Sequence, residues 1–205
     1  MELNTMTKDK DEYRDIRAGF WKEHFQAAQD YDAYLRESKP ELAAKWTNMA
    51  AKIPALSPDQ VGRLRKVTGR KLYLLVYSGV WCGDCVRQGP MLKQIADAAV
   101  DIDLRLIDRE ASERLTDELR ILGARRVPVA VFLSEDFFEI GRFGDRLLTV
   151  YRAKAASTLG PTCDTGLVPP PAEQLAAERD DWVDVFERML WMARLAPPLR
   201  ERHGD

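Results

Sequence analysis

The sequence predicts an α/β fold in which a central mixed sheet is flanked by helices. Between residues 70 and 156, short apolar runs alternate with segments of helical spacing in the order β-α-β-α-β-β-α. Outside this stretch helical spacing recurs alone, apart from a proline-rich segment at 157–171. We therefore expect a helical N-terminal extension packed on the core (1–69), an α/β core (70–156), and a loop with a C-terminal helix (157–205).

The N-terminal extension is expected to contain three helices. From Tyr13, apolar residues at three- and four-residue spacing indicate one amphipathic helix that ends before Pro40. A second helix is expected at 41–52. A third should begin at Ser57, because Ser-Pro-Asp-Gln supplies an N-cap, a proline at the first helical position and a capping-box glutamine, and Gly69 should end it.

The core begins with the run LYLLVY at 72–77, which is aliphatic and aromatic throughout, as a strand buried on both faces should be. Helical spacing follows from about Cys82. Further strands are expected at 103–107, 129–133 and 137–140, with helices capped by Ser112 and Asp145 and a final helix at 172–195 that Pro197 and Pro198 stop.

Composition and charge exclude several classes of function. Hydrophobic residues make up 45% and charged residues 31% of the 205, which is ordinary for a globular protein. With 33 acidic and 31 basic side chains the net charge is −2, so binding to nucleic acid or to an anionic membrane surface is not expected. The N-terminus lacks the apolar core of a signal peptide, and no stretch approaches the ~20 apolar residues that span a bilayer. We therefore expect a cytoplasmic protein.

The sharpest motif is a C-x-x-C formed by Cys82 and Cys85, two of the three cysteines in the chain. Three cysteines cannot build a disulfide framework, and in a reducing compartment this motif indicates metal or redox chemistry. Here it follows a predicted buried strand and opens a predicted helix. The N–H groups and dipole of a helix N-terminus stabilise a thiolate on the first cysteine, while the second is placed to attack a mixed disulfide. The pattern favours thiol–disulfide exchange.

Two metal sites compete with that interpretation. A structural zinc ion needs four ligands, and the chain offers only its three cysteines and two histidines, with no second paired motif. A copper chaperone also carries C-x-x-C between a strand and a helix, but no thioether ligand lies next to this one. Both are less favoured than redox chemistry, and neither a metal nor another cofactor is expected.

The segment Trp81-Cys82-Gly83-Asp84-Cys85 resembles the active site of the thioredoxin superfamily. Members of this superfamily also place a cis-proline before the third core strand, facing the cysteines, and Pro128 stands at the matching place. Gly141 and Gly144 are similar to the glycines between the last hairpin and the last helix of that fold. The resemblance covers about residues 70–155, and the whole layout is similar to a subfamily of bacterial thioredoxin-like proteins with a helical extension.

The resemblance implies a thioredoxin fold and a thiol–disulfide oxidoreductase that acts on disulfides of proteins or small molecules. Cys82 would be the nucleophile and Cys85 the resolving thiol, an unidentified reductase would restore the dithiol, and no bound cofactor is required. The cis-proline would expose the backbone of Val127 to an extended substrate. Trp81 precedes an exposed turn, so a platform for the backbone of a partner is favoured over a core aromatic. The implied substrate-binding residues are Trp81, Gly83, Asp84, Val127 and Pro128.

Three departures from the thioredoxin pattern bear on mechanism. Asp84 replaces the proline usual between the cysteines, and its charge should raise the pKa of Cys82 and make the couple more reducing. The buried acid that usually stands six residues before the first cysteine is Val76 here, and the lysine that accompanies it falls near Leu104. Deprotonation of Cys85 must therefore use water or another group such as Asp84.

A second class of function stands beside the enzyme. The same cis-proline groove and the appended helices could serve a protein-binding or scaffold module without turnover. Both cysteines of the motif are present, which favours the enzyme. Cys163 lies in the proline-rich segment, where a tolerated thiol is favoured over a third redox cysteine.

Overall fold

The structure, a computed structural model, describes residues 14–159 and 170–205. Its strands are β1 (Gln29–Asp30), β2 (Leu72–Ser78), β3 (Ile102–Asp108), β4 (Val129–Leu133) and β5 (Glu139–Gly144). They form a five-stranded sheet in the order β1-β3-β2-β4-β5. In it, β2 and β3 run parallel and the other neighbouring pairs run antiparallel. The predicted α/β class with a mixed central sheet is confirmed.

Helices surround this sheet and form extra segments at both ends of it. In the part of the chain that the structure describes they are α1 (Ala18–Ala27), α2 (Tyr31–Arg36), α3 (Pro40–Ala50), α4 (Pro58–Arg65), α5 (Gly83–Ala98), α6 (Glu113–Glu118), α7 (Leu148–Leu159), α8 (Ala172–Leu195) and α9 (Pro197–His203). None of these helices is long and apolar enough to cross a membrane. The capping box predicted for α4 is present, since Ser57 and Gln60 each bond the other's backbone amide.

The predicted single helix that ends before Pro40 is wrong, because the chain breaks at Ala28. Ala28 has extended backbone angles (φ −80°, ψ 153°), and the next two residues pair with β3 at the edge of the sheet. Asp30 then caps α2 by accepting a hydrogen bond from the Ala33 amide at 2.7 Å. Apolar spacing continues across the break, so periodicity alone could not reveal it.

The two faces of the sheet are covered by different helices. On one face, Tyr73 of β2 contacts Phe25 of α1 at 4.7 Å between ring centroids, and Tyr77 hydrogen-bonds to α6 at 2.9 Å. On the other face, Phe132 of β4 meets Phe186 of α8 edge-on at 5.1 Å. Burial on both sides explains why β2 is a continuous apolar run in the sequence.

The C-terminal helix α8 has its predicted bounds, but a further helix, α9, follows it directly. Pro197 and Pro198 begin α9, because proline lacks only an N–H that the first turn of a helix leaves unbonded. The fourth predicted strand, at 137–140, is displaced: β5 starts later, since the Ser134 hydroxyl first accepts hydrogen bonds from two amides of the connecting turn.

The helix predicted from Asp145 begins at Leu148 instead. The Thr149 amide in its first turn donates to Asp181 of α8 at 2.9 Å, so a side chain distant in sequence satisfies it. α7 extends to Leu159. Most of the loop predicted at 157–171, Cys163 included, lies outside the described residues.

Candidate active site

The C-x-x-C motif lies at the turn between β2 and α5, as predicted. Cys82 is the N-cap of α5: its carbonyl accepts a hydrogen bond from the Val86 amide at 2.9 Å, and its amide donates to the Gly79 carbonyl at 2.9 Å. At Gly79 the Trp81 ring packs on the backbone, since a Cβ there would lie 2.9 Å from that ring. The turn therefore places the first cysteine at a helix N-terminus.

The two thiols lie in different environments. Cys82 is partly exposed, whereas Cys85 is fully buried and accepts a hydrogen bond from the Gly79 amide at 3.4 Å. Hydrogen bonds from the Cys85 thiol and from nearby amides lower the pKa of Cys82 to about 6, although burial opposes the change. Burial, with the neighbouring Cys82 second, raises the pKa of Cys85. At neutral pH Cys82 is therefore a thiolate, and the neighbouring Cys85 is a protonated thiol.

A cis peptide bond joins Val127 to Pro128 directly before β4. The Val127 carbonyl oxygen lies 3.7 Å from the Cys82 sulfur, within reach of a weak thiol hydrogen bond. Gly144 of β5 allows the close approach of this bend, since a Cβ there would stand 2.7 Å from the Pro128 carbonyl oxygen. The bend and the C-x-x-C turn, distant in sequence, therefore meet at the Cys82 sulfur.

Asp84, in the first turn of α5, is paired with two arginines. One carboxylate oxygen lies 2.8 Å from Arg87 and the other 2.5 Å from Arg146. The charge of Asp84 raises the pKa of Cys82, as predicted, but the hydrogen bonds to the thiol outweigh it. The lowered net pKa stabilises the dithiol form, which opposes the more reducing couple expected from Asp84 alone.

The C-terminal helix contributes a buried carboxylate to the same surroundings. Glu178 of α8 is fully buried and accepts a hydrogen bond from Arg87 at 2.6 Å. Burial raises the pKa of Glu178, and the charge of Arg87 offsets only part of that rise. Arg87 therefore links α8 to the active-site turn through two carboxylates.

Asp145 is a second buried carboxylate, beside the cis-proline, and it does not cap a helix as predicted. Its side chain accepts hydrogen bonds from Arg126, Arg146 and Tyr151. Burial acts to raise the pKa of Asp145, but the hydrogen bonds from Tyr151 and Arg126 bring it below its ordinary value. The turn after β5 is thus tied to the active site by charge. We refer to Asp84, Arg87, Arg146, Asp145 and Glu178 as the charged network.

The N-terminal extension packs against the active-site turn and against α5. Trp46 of α3 is fully buried and donates from Nε1 to the Val80 carbonyl at 2.9 Å. Its ring fills the space beside Gly89 of α5, where a Cβ would stand 2.0 Å from it. Tyr34 of α2 packs edge-on against Trp46 at 5.8 Å between ring centroids. We call Tyr34 and Trp46 the N-terminal wall.

The other predicted site residues lie around Cys82. Trp81 is 49% exposed, and the Arg109 guanidinium lies 4.7 Å from the centre of its ring. Gly83 is the first residue of α5, and a Cβ there would meet nothing within 4 Å. The structure therefore brings the C-x-x-C turn, Trp81 and the cis-proline bend together at one end of the sheet.

Sequence reasoning missed the residues that reach this site from other elements. Tyr34 and Trp46 are aromatic residues of predicted helices, and their type indicates packing without naming what they pack against. Glu178 is one charge among many in an acidic helix. One signal was available: Arg87 follows Asp84 by three residues, the spacing of an ion pair on a helix.

The described residues do not suggest a metal centre. Among them, no group of three or more His, Cys, Asp or Glu side chains is arranged to hold a metal ion. Cys163, one of the thiols considered as a zinc ligand, is not among them.

Comparisons with known proteins bear on the fold. A family model described as thioredoxin matches residues 28–154. The crystal structure of a protein of unknown function from Pseudomonas aeruginosa is similar with a TM-score of 0.64 at 19% identity, over 82% of this chain and 95% of that one. An HIV epitope scaffold is similar with a TM-score of 0.63 at 19% identity, over 83% and 96% of the two chains. No curated protein matches the sequence significantly.

Proposed function

The chain belongs to the thioredoxin family and has the predicted fold, and we propose that it is a thiol–disulfide oxidoreductase that reduces disulfides through Cys82 and Cys85. The observation that supports this most directly is the pair of neighbouring thiols at the start of α5, one partly exposed and one buried. With a pKa of about 6, the Cys82 thiol is ionised at neutral pH and is therefore a competent nucleophile.

The proposed reaction has two steps. The Cys82 thiolate attacks one sulfur of a substrate disulfide, forms a mixed disulfide, and releases the other sulfur as a thiolate. Cys85 then loses its proton and attacks the Cys82 sulfur, which forms the Cys82–Cys85 disulfide and releases the second substrate sulfur. Two electrons pass from the protein to the substrate, and a separate reductase restores the dithiol.

We propose that the substrate chain binds between the Trp81 ring and the cis-proline bend. An extended segment presented beside Val127 lies next to the Cys82 sulfur, because the Val127 carbonyl is within 3.7 Å of it. The exposed Trp81 ring, supported by Arg109, supplies apolar contact area next to the nucleophile. Disulfides of proteins and of small molecules both fit this open arrangement.

Serine variants of the full chain test the proposal. Cys82→Ser is expected to abolish reduction of glutathione disulfide. Cys85→Ser is expected to stop after one step, leaving a mixed disulfide that mass spectrometry detects as an added glutathione. Cys163→Ser is the matched control and should keep the wild-type rate.

Two outcomes would contradict the oxidoreductase. One is a wild-type chain, reduced beforehand and freed of the reductant, that reduces neither glutathione disulfide nor a protein disulfide. The other is a Cys82→Ser variant that keeps the wild-type rate. If the Cys85→Ser chain traps proteins from a lysate as mixed disulfides, their identities give the substrates.

A further inference from the structure

An arginine stands directly before the backbone bend beside which the substrate is proposed to bind. Arg126 precedes Val127, and the Val127 carbonyl oxygen lies 3.7 Å from the Cys82 sulfur. An extended chain advances by only about 3.3 Å per residue. The residues that flank the reacting cysteine of an extended substrate would therefore pass close to Arg126.

Ion pairs hold the Arg126 side chain on the same side as the active-site turn. Its Nη1 atom donates to Asp145 Oδ2 at 2.9 Å, and Arg146 Nη1 donates to the same oxygen at 3.1 Å. The Nη2 atom of Arg146 lies 2.5 Å from Asp84, which is two residues from Cys82. Two guanidinium groups therefore lie side by side between the cis-proline bend and the C-x-x-C turn.

The guanidinium of Arg126 keeps donors for a further acceptor. A guanidinium carries five N–H groups, and within residues 14–159 and 170–205 this one makes a single hydrogen bond, the one to Asp145. The Arg126 side chain is 40% exposed, whereas that of Asp145 is only 4% exposed. The cation is thus accessible to a ligand, and its anionic partner lies beneath it. A carboxylate is the group that matches the remaining donors.

The other two arginines near the motif do not offer the same site. Arg109 lies 2.8 Å from Glu110 and Arg125 lies 3.4 Å from Glu113. Both glutamates are more exposed than the arginines they pair with, so these pairs present negative charge to solvent as well as positive. The whole chain has a net charge of −2 and does not attract anions in general. Selection by charge is therefore confined to the side of the site that carries Arg126 and Arg146.

We propose that Arg126, with Arg146 beside it, is a specificity-determining residue that binds a carboxylate next to the disulfide of the substrate. The chemical class is a disulfide with an acidic group close to the reacting sulfur, either an aspartate or glutamate beside a cysteine in a peptide chain or a carboxylate of a small disulfide. The inference rests on the proposed function, because it selects the substrate of that reaction and leaves the exchange between the sulfurs unchanged.

Two peptide disulfides that differ only in charge test this selection. One is the symmetric disulfide of a short peptide with an aspartate on each side of its cysteine, and the other has asparagines there. The prereduced full chain reacts with each, and chromatography after an acid quench gives the rate at which peptide thiol is released. Each rate is divided by the rate for dithiothreitol with the same peptide, which removes differences in intrinsic reactivity.

The wild-type chain is expected to reduce the aspartate peptide about threefold faster than the asparagine peptide, the size of effect typical of a partly exposed ion pair. In Arg126→Gln the ratio should fall to about one, through a loss of rate on the aspartate peptide alone. Arg126→Lys should keep part of the preference, because it keeps the charge without the planar donors. The wild-type ratio should shrink in 1 M salt, where charges are screened over about 3 Å.

Arg114→Gln is the matched control. It changes the net charge by the same amount, at a residue of α6 whose side chain is 69% exposed, and should leave the ratio unchanged. A second pair, 3,3′-dithiodipropionate and hydroxyethyl disulfide, distinguishes the source of the carboxylate. A preference for the acid that Arg126→Gln abolishes only in this pair supports a small-molecule substrate, and one abolished only in the peptides supports a protein substrate.

Three results would overturn the selection and leave the oxidoreductase intact. They are equal wild-type rates on both members of each pair, a preference that survives in Arg126→Gln, and an Arg126→Gln variant that slows both peptides equally, which would make Arg126 a support of the turn through Asp145. A prereduced wild-type chain that reduces none of the four disulfides overturns the proposed function and the selection with it.

Discussion

The segment before the core and the helix after it both reach the active site, but through different chemistry. The N-terminal wall is neutral: Trp46 packs against α5 and holds the backbone of the turn through Val80, and Tyr34 packs on Trp46. Helix α8 instead contributes an ionisable group, Glu178. Its carboxylate accepts a hydrogen bond from Arg87, which also donates to Asp84. The N-terminal wall therefore positions the active-site turn, whereas α8 contributes to the charge beside it.

This difference separates the control of the two cysteines. The wall packs on α5, the helix that carries the fully buried Cys85, and burial raises the pKa of that thiol. The charged network includes Asp84, which is next in the chain but one to the partly exposed Cys82 and whose charge raises the pKa of that thiol. Damage to the wall should therefore change Cys85 and stability first, and damage to the network should change Cys82 first.

The largest expected effect is that of Trp46→Ala, which removes most of the wall. We expect the free energy of unfolding, measured by urea titration, to fall by about 3–5 kcal/mol, as for other fully buried tryptophans. Trp46→Phe is the control, since it keeps an aromatic ring but loses the hydrogen bond to Val80, and it should cost less. A loss below about 1 kcal/mol in Trp46→Ala would show that the wall is not a structural support.

The two thiols should also differ in reactivity. At neutral pH, iodoacetamide should label Cys82 more than about a hundredfold faster than Cys85, because only the first is ionised. The rate at Cys82 should rise as the pH passes through about 6 and level off above it. Peptide mass spectrometry after brief labelling measures both rates. Equal rates would contradict the shielding of Cys85, and folded Trp46→Ala protein should label Cys85 faster than the wild type.

Much of the fold follows from local sequence signals, and its exceptions have a shared cause. The apolar run of β2, the capping box at Ser57 and the bounds of α8 are local, and the structure confirms them. The break at Ala28 is not local: helical spacing continues through it, and the pairing of two residues with β3 overrides that tendency. The start of α7 likewise depends on Asp181, far away in the sequence.

The candidate active site likewise has a part that local sequence predicts and a part that depends on tertiary packing. The motif itself predicts the neighbourhood of Cys82 and Cys85, and the residues around Pro128 predict a bend that the structure finds to be cis. Tyr34 and Glu178 could not be predicted, because their contacts with the site arise only when distant helices pack together. A motif therefore locates the reacting atoms, whereas the groups that adjust them come from tertiary structure.

A smaller effect is expected from Glu178, the contribution of α8. Glu178→Ala leaves the Arg87 guanidinium without one buried acceptor and should cost about 1–3 kcal/mol of stability. Glu173→Ala, in the exposed first turn of the same helix, is the matched control and should be nearly neutral. Urea titrations of both variants measure the difference. Equal stability of the two variants would show that the hydrogen bond between Glu178 and Arg87 does not stabilise the fold.

Glu178→Gln tests the charge separately from the hydrogen bond. Because burial raises the pKa of Glu178 in the folded chain, wild-type stability should fall as the pH rises from the ordinary glutamate value through the raised one. The glutamine variant has no such proton to lose, so its stability should lack that fall. Thermal unfolding across the acid to neutral range compares the two chains, and parallel profiles would contradict a raised pKa.

The smallest expected effect is that of Asp84→Asn, which removes the charge nearest the nucleophile. The pKa of Cys82 should fall, because the carboxylate repels the thiolate, but by less than about one unit, since hydrogen bonds to the thiol dominate its pKa. Arg87 and Arg146 keep their other partners in the charged network, so the turn should stay folded. A more stable thiolate favours the dithiol, so the reduction potential should rise by up to ~30 mV.

Asp117→Asn, which breaks a similar pair with Arg120 on the exposed side of α6, is the matched control. Ultraviolet absorbance of the thiolate against pH and a glutathione redox titration measure the two quantities. An unchanged pKa in Asp84→Asn would reduce Asp84 to a support of the first turn of α5 and leave the control of Cys82 to hydrogen bonds alone.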